Sequence, residues 1–245
     1  MDGRDSVRRG MAEAVAAAPE LAPVDAAAEA DLIVRDVCGY GESAPGPGRP
    51  GVPLVVLSVA AADRAPTGSF AAEAAAREAA AVAGADRWCV LRCAAFGEEL
   101  AWNTRYTAEG SLLTAWRPGG APWVAAADVV ALVARLASEP ERWNAAYDVT
   151  GPERVPMDRA CDLLHDLHGR PLHYVHLEPE ALASGMEQAG FDPAFAARRA
   201  DYMAWTTSGP CREVSPVLAD ALGRPATPLS DYLVRSARSG LTAAR

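Results

Sequence analysis

Leu54-Val-Val-Leu-Ser-Val59 is a continuous apolar run, rich in β-branched residues and only six residues long. It is too short for a helix to cross a bilayer, and it shows no polar alternation. That combination suits a strand buried on both faces. Ser69-Phe-Ala-Ala-Glu-Ala-Ala-Ala-Arg-Glu-Ala-Ala-Ala-Val-Ala83 follows, dense in the best helix former and stopped by Gly84, which predicts a helix over 69–83. Trp88-Cys-Val-Leu-Arg92 then reads as a second buried strand. Two strands joined through a helix must run parallel, so residues 54–92 read as a βαβ unit.

Working outward, Val7, Met11 and Val15 recur at helical spacing in a helix over 5–18. A short strand is expected over 31–37, then a Gly/Pro loop over 39–53. Downstream, 96–106 reads as helical and Trp123-Val124 as a short strand. Val129, Leu132, Val133 and Leu136 share one face of a helix over 128–138. A strand over 146–149 and a helix over 156–167, closed by Gly169, come next. Then follow a strand over 173–177, helices over 180–189 and 193–206, and closing elements over 214–222 and 228–236. The expected fold class is α/β: a Rossmann-like, doubly wound parallel sheet, degenerate at its N-terminus. Residues 1–150 would form the core. Residues 151–245 would form a small α-rich substrate lobe, interleaved with it.

The 245 residues carry a net charge of −9 with 50% hydrophobic residues, enough for one large domain and a lobe. An acidic chain without a basic stripe excludes nucleic acid as a partner. No apolar run spans a bilayer, and residues 1–10 are too polar for a signal peptide. The cysteines Cys38, Cys89, Cys93, Cys161 and Cys211 are odd in number and scattered, which fits reduced thiols and a cytoplasmic location. All 23 basic residues are arginine. The absence of lysine removes Schiff-base chemistry and a P-loop ammonium. GC-rich codon usage explains the same bias.

Gly46-Pro-Gly-Arg-Pro-Gly51 matches G-x-G-x-x-G in letters only. Pro47 and Pro50 lack N–H groups for a pyrophosphate, and a strand follows where a helix is needed. Gly39-Tyr-Gly-Glu-Ser-Ala44 follows a strand, but the prolines after it forbid the helix. Ser58, at the end of a buried strand, could face a ligand or act as a helix-cap or turn residue. The helix beyond it offers Phe70 and Ala74 where a Tyr-x-x-x-Lys dyad would stand, and neither can work a proton. His165 and His168 lie one helical turn apart, whereas His173 and His176 face opposite sides of a strand, which argues against a metal cluster. His176 remains a candidate proton carrier. Phe96, Trp102, Trp116, Trp123, Tyr202 and Trp205 serve as core filling or as the walls of an apolar pocket.

From about residue 54 to 232 the sequence resembles the NmrA-like, atypical short-chain dehydrogenase/reductase family, and within it the ergot-alkaloid-type reductases. The resemblance lies in Leu54-Val-Val-Leu-Ser58, in Trp88-Cys-Val-Leu-Arg-Cys-Ala-Ala-Phe-Gly-Glu-Glu-Leu100 and in Pro122-Trp-Val-Ala-Ala-Ala-Asp-Val129. It continues in Tyr147-Asp-Val-Thr-Gly-Pro-Glu153, Leu167-His-Gly-Arg-Pro-Leu172 and Leu222-Gly-Arg-Pro-Ala-Thr-Pro-Leu229. It implies a Rossmann sheet with a C-terminal substrate lobe. The family's opening strand, G-x-x-G-x-x-G turn and helix have no counterpart here, so the expectation is an N-terminally shortened member. Cys93 stands for the family's proline and Glu99 for its asparagine.

The leading expectation is therefore an enzyme derived from such a reductase but without a cofactor. It would cyclise, isomerise or dehydrate a small aromatic or polycyclic metabolite by acid–base catalysis, in secondary metabolism. His176, Glu98, Glu99 and Tyr202 are its candidate catalytic groups. Ser58, Cys93, Phe96, Trp102, Trp123 and Trp205 would bind substrate. No residue is assigned to a cofactor or a metal. One alternative is an NADPH- or NADH-dependent reductase of a quinone, enone or iminium, with a reshaped cofactor site over 39–51. Another is a non-catalytic sensor or partner subunit. A bared sheet edge would also allow a homodimer.

Overall fold

A computed structural model describes residues 3–24, 29–38, 50–103, 110–136 and 138–238. Four strands, β1 (Ile33–Asp36), β2 (Leu54–Val59), β3 (Trp88–Cys93) and β5 (Ala145–Val149), make a parallel sheet in the order β1-β2-β3-β5. Leu54, Val55, Val56 and Leu91 are buried almost completely, which is why β2 and β3 show no polar alternation. Each such side chain contributes about 1.5–3 kcal/mol by leaving water. The period-2 rule assigns the faces. Leu54, Val56 and Val90 pack toward Ala81 and Val82 of α2 (Phe70–Val82). Val55, Cys89, Leu91 and Cys93 meet α1 (Gly3–Ala17), α4 (Ala126–Leu136) and α8 (Val217–Leu222) on the other face. Helices on both faces of a parallel sheet are the expected α/β, Rossmann-like arrangement.

Several elements differ from expectation at their ends. The first helix stops at Ala17 and the last begins at Leu229. Helix α3 runs Gly97–Asn103, inside the expected 96–106. Val124 makes one isolated bridge to Phe96 rather than a strand. The sequence reading missed β4 (Ser111–Thr114), which pairs in parallel with β6 (His173–His176) as a separate two-stranded sheet. The strand over 173–177 therefore stands outside the main sheet. The remaining helices are α5 (Met157–His168), α6 (Pro179–Gln188), α7 (Pro193–Thr206) and α9 (Leu229–Arg238). Helix α8 packs on α4 and β5, and α9 packs on α3 and α5. No helix among the described residues is long and apolar enough to cross a membrane.

Helix α2 begins where Ser69 Oγ accepts the Ala72 N–H at 3.2 Å and donates to the Pro66 carbonyl at 2.8 Å. Ser69→Ala is expected to lower stability by about 1 kcal/mol, read as a shifted denaturant midpoint with an unchanged slope. An unmoved midpoint would show that the cap is idle.

Candidate functional site

Ligands of open α/β sheets bind beyond the C-terminal strand ends. At that end of β3 the chain passes through Ala94, Ala95 and Phe96 into α3, whose first turn carries Glu98 and Glu99. Carboxylates suit a helix N-terminus, and the two point apart. Glu99, fully buried, accepts from Arg199 Nη1 at 2.8 Å and from the Tyr202 hydroxyl at 2.6 Å. Arg199 and Tyr202 stand three residues apart on α7, one face of one helix. The guanidinium lies 5.4 Å from the Tyr202 ring centroid. Phe70 meets that ring edge-on at 5.5 Å and 82°. The Phe70 N–H, at the start of α2, donates to Asp201 of α7 at 2.7 Å. The first turn of α3 is thereby tied to α7 through buried Glu99, and that of α2 through half-buried Asp201.

Among the expected site residues, the structure brings Glu99 and Tyr202 together, with Arg199, which the sequence reading missed. The others are dispersed. Glu98 turns toward α1 and α4, where its Oε1 accepts the Ala126 N–H at 3.0 Å. Ser58 is neither a turn residue nor at the strand's last position. It lies inside β2 in one lateral row with Arg92 and Asp148 of the neighbouring strands, and its buried hydroxyl has no partner. Cys93 and Phe96 join the α4-side core. Trp123 is buried edge-to-face against Trp116, with ring centroids 5.0 Å apart, and donates to the Val155 carbonyl at 3.3 Å. Trp205 donates to the Ala60 carbonyl at 2.9 Å, closing over the end of β2. His176 ends β6 opposite Thr114, in the small sheet. The side chain of Trp102 lies outside the described residues.

The same end of the sheet can be tested against a dinucleotide. A diphosphate needs free N–H groups at a helix start. Here the Phe70 N–H is held by Asp201, the Ala72 N–H by Ser69 and the Ala126 N–H by Glu98. The Ala61 N–H, just beyond β2, donates to Asp148 at 2.9 Å. The charges nearby favour cations. Arg92 forks onto Glu78 and also meets Asp63, while Arg64 meets Asp148 and Glu213, so acids outnumber bases. The strand order β1-β2-β3-β5 contains no reversal, and a reversal is what opens a crevice for a dinucleotide. The described residues thus do not fit a diphosphate. Most of the loop over 39–51 falls outside them. Pro50 and Gly51 are described, and they precede β2 at the opposite end of the sheet.

No protein-family model matches the chain. Agroclavine dehydrogenase of Claviceps fusiformis is 23% identical over 125 residues, 51% of this chain and 43% of that protein. The NAD(P)H azoreductase of Xenophilus azovorans is 25% identical over 114 residues, 46% of this chain and 40% of that protein. The structure of an NADPH-dependent quinone oxidoreductase from Escherichia coli, complexed with NADPH, superposes with a TM-score of 0.65 at 22% identity. It covers 75% of this chain and 65% of that one. The chain therefore spans less than half the length of these curated relatives. The structural likeness establishes the Rossmann-like fold. Together these findings overturn the expectation of a cofactor-independent, non-redox cyclase, isomerase or dehydratase. The similar proteins are redox enzymes by name, and the solved neighbour binds NADPH. The expectation of no cofactor is overturned with it, since the solved neighbour is complexed with NADPH, and a lost NAD(P) site is not supported.

Proposed function

We propose that the chain is, or is part of, an NAD(P)H-dependent reductase that transfers hydride to a flat conjugated acceptor such as a quinone, enone or iminium. The observation that carries this reading is the superposition of three quarters of the chain on an NADPH-bound quinone oxidoreductase. The names of the two curated relatives support it. The resemblance to NmrA-like reductases, over six motifs in order, supports the same class. In this reading Glu99, Arg199 and Tyr202 position α3 and α7 around the acceptor end of the sheet. The diphosphate is assigned to no described residue.

Titration with NADPH and with NADH, followed by nucleotide fluorescence, is expected to saturate. Quinones or iminium dyes should then drive loss of absorbance at 340 nm. Absence of saturation with both nucleotides would sink the reading. It would favour a non-catalytic binding subunit, to which the occupied helix-start amides already lend support.

A further inference from the structure

The reductase reading makes no use of Glu98, whose carboxyl is enclosed by four helices. On its own helix, α3, the residue is 6% exposed. Helix α4 contributes the Ala126 N–H to Oε1, while Oε2 is buried without a partner. Helix α1 lies directly on the side chain. A methyl group built at Gly10 would stand 3.0 Å from Glu98 Cγ and 3.2 Å from Oε1. Ser6, one turn earlier, donates to the Glu98 carbonyl at 3.1 Å. Helix α9 closes the last side with Tyr232, whose ring would stand 2.7 Å from a methyl group at Gly97.

We propose that Glu98 is a pH-sensitive latch: its neutral carboxyl lets α1 close over the start of α3, and its ionisation loosens α1. Burial disfavours its charge most, against the Ala126 N–H and its own backbone N–H, which favour the ionised form. Glu99 on the same helix and Asp128 on α4 repel a charge there. Glu99 is held by Arg199, and Asp128 by Arg224 Nη2 and the Thr227 N–H. On α9 the Tyr232 phenol is pushed far up by burial, by Glu98 itself and by Glu13 of α1, so it stays neutral beside the carboxyl. Burial, more than these charges, pushes the Glu98 carboxyl up to about 8 from its ordinary 4.5. The closed form therefore holds a proton that the open form releases. Closure is fully favoured below pH 4.5, weakens as pH rises, and has lost this contribution above about 8.

Native-state hydrogen exchange of the α1 amides, corrected for intrinsic rates, reads the latch directly. The opening constant is expected to rise about tenfold per pH unit inside that window, then level off. In Glu98→Gln it should stay flat. An equal slope in Glu98→Gln would overturn the proposal. Should that variant fail to fold, carbon-detected NMR of the wild-type Glu98 carboxyl decides. A midpoint near 8 upholds the latch, and a midpoint at the ordinary value removes it. Neither measurement needs cofactor or substrate, so the latch stands or falls independently of the reductase reading.

Discussion

Gly151→Ala is expected to destabilise the protein by roughly 3–5 kcal/mol, at the upper end for a single substitution. A methyl group at that position would stand 2.0 Å from the Trp123 carbonyl oxygen. The obstacle is backbone, and backbone cannot rotate aside as a side-chain tip can. The two chain segments are also tied together. The Gly151 N–H donates to the Pro122 carbonyl at 2.9 Å, and the Val155 N–H to the Ala121 carbonyl at 3.0 Å. This crossing joins the end of β5 to the approach of α4 and seats the Trp116–Trp123 pair. Opening it would disturb the packing beneath the C-terminal end of the sheet. Gly185 offers a control. It lies inside α6 with nothing within 4 Å of an added methyl, so Gly185→Ala should stabilise by about 0.5–1 kcal/mol through helix propensity. Chemical unfolding of the pair measures both. If the two variants prove equally stable, the crossing is not as tight as described.

The sheet was legible because its signals are local. The runs at Leu54 and Trp88 and the alanine-rich helix between them each declare their type within a few residues. β4 was not legible, because Ser111-Leu-Leu-Thr114 is short and gains its identity from β6, some sixty residues later in the chain. Orientation was harder to read than identity. Cys93 and Phe96 sit where a substrate wall could be, yet Cys93 shares a face with Cys89 and Leu91 and so meets α4. The sequence offers Glu98 or Glu99 as a catalytic group without saying which way either points. A helix sends neighbours roughly 100° apart, which gave Glu98 to α1 and Glu99 to α7. Arg199 was hidden by composition. In a chain whose every cation is arginine, a buried one looks like the rest, although its i,i+3 spacing to Tyr202 was available.

That hidden arginine carries the second large effect. Arg199→Met is expected to cost roughly 3–5 kcal/mol. Its side chain is 2% exposed and that of Glu99 0%, so removing the cation strands a carboxylate where water cannot reach it. The Tyr202 hydroxyl would remain on the Glu99 carboxylate, and a neutral donor does not replace a guanidinium. The loss belongs to the stranded charge rather than to the pair. Adding Glu99→Gln to Arg199→Met should therefore recover a large part of it, leaving the double variant more stable than Arg199→Met alone. Tyr202→Phe, which keeps the ring against Phe70 and removes only the donor, should cost about 1.5–3 kcal/mol, as expected for a hydrogen bond to a charged group. A double-mutant cycle by urea unfolding tests the assignment. Additive losses for Arg199→Met and Glu99→Gln would mean that the two side chains do not share the buried bond. Strong positive coupling would fix α3 to α7 through this cluster, and with it the geometry of any site at the C-terminal ends of the strands.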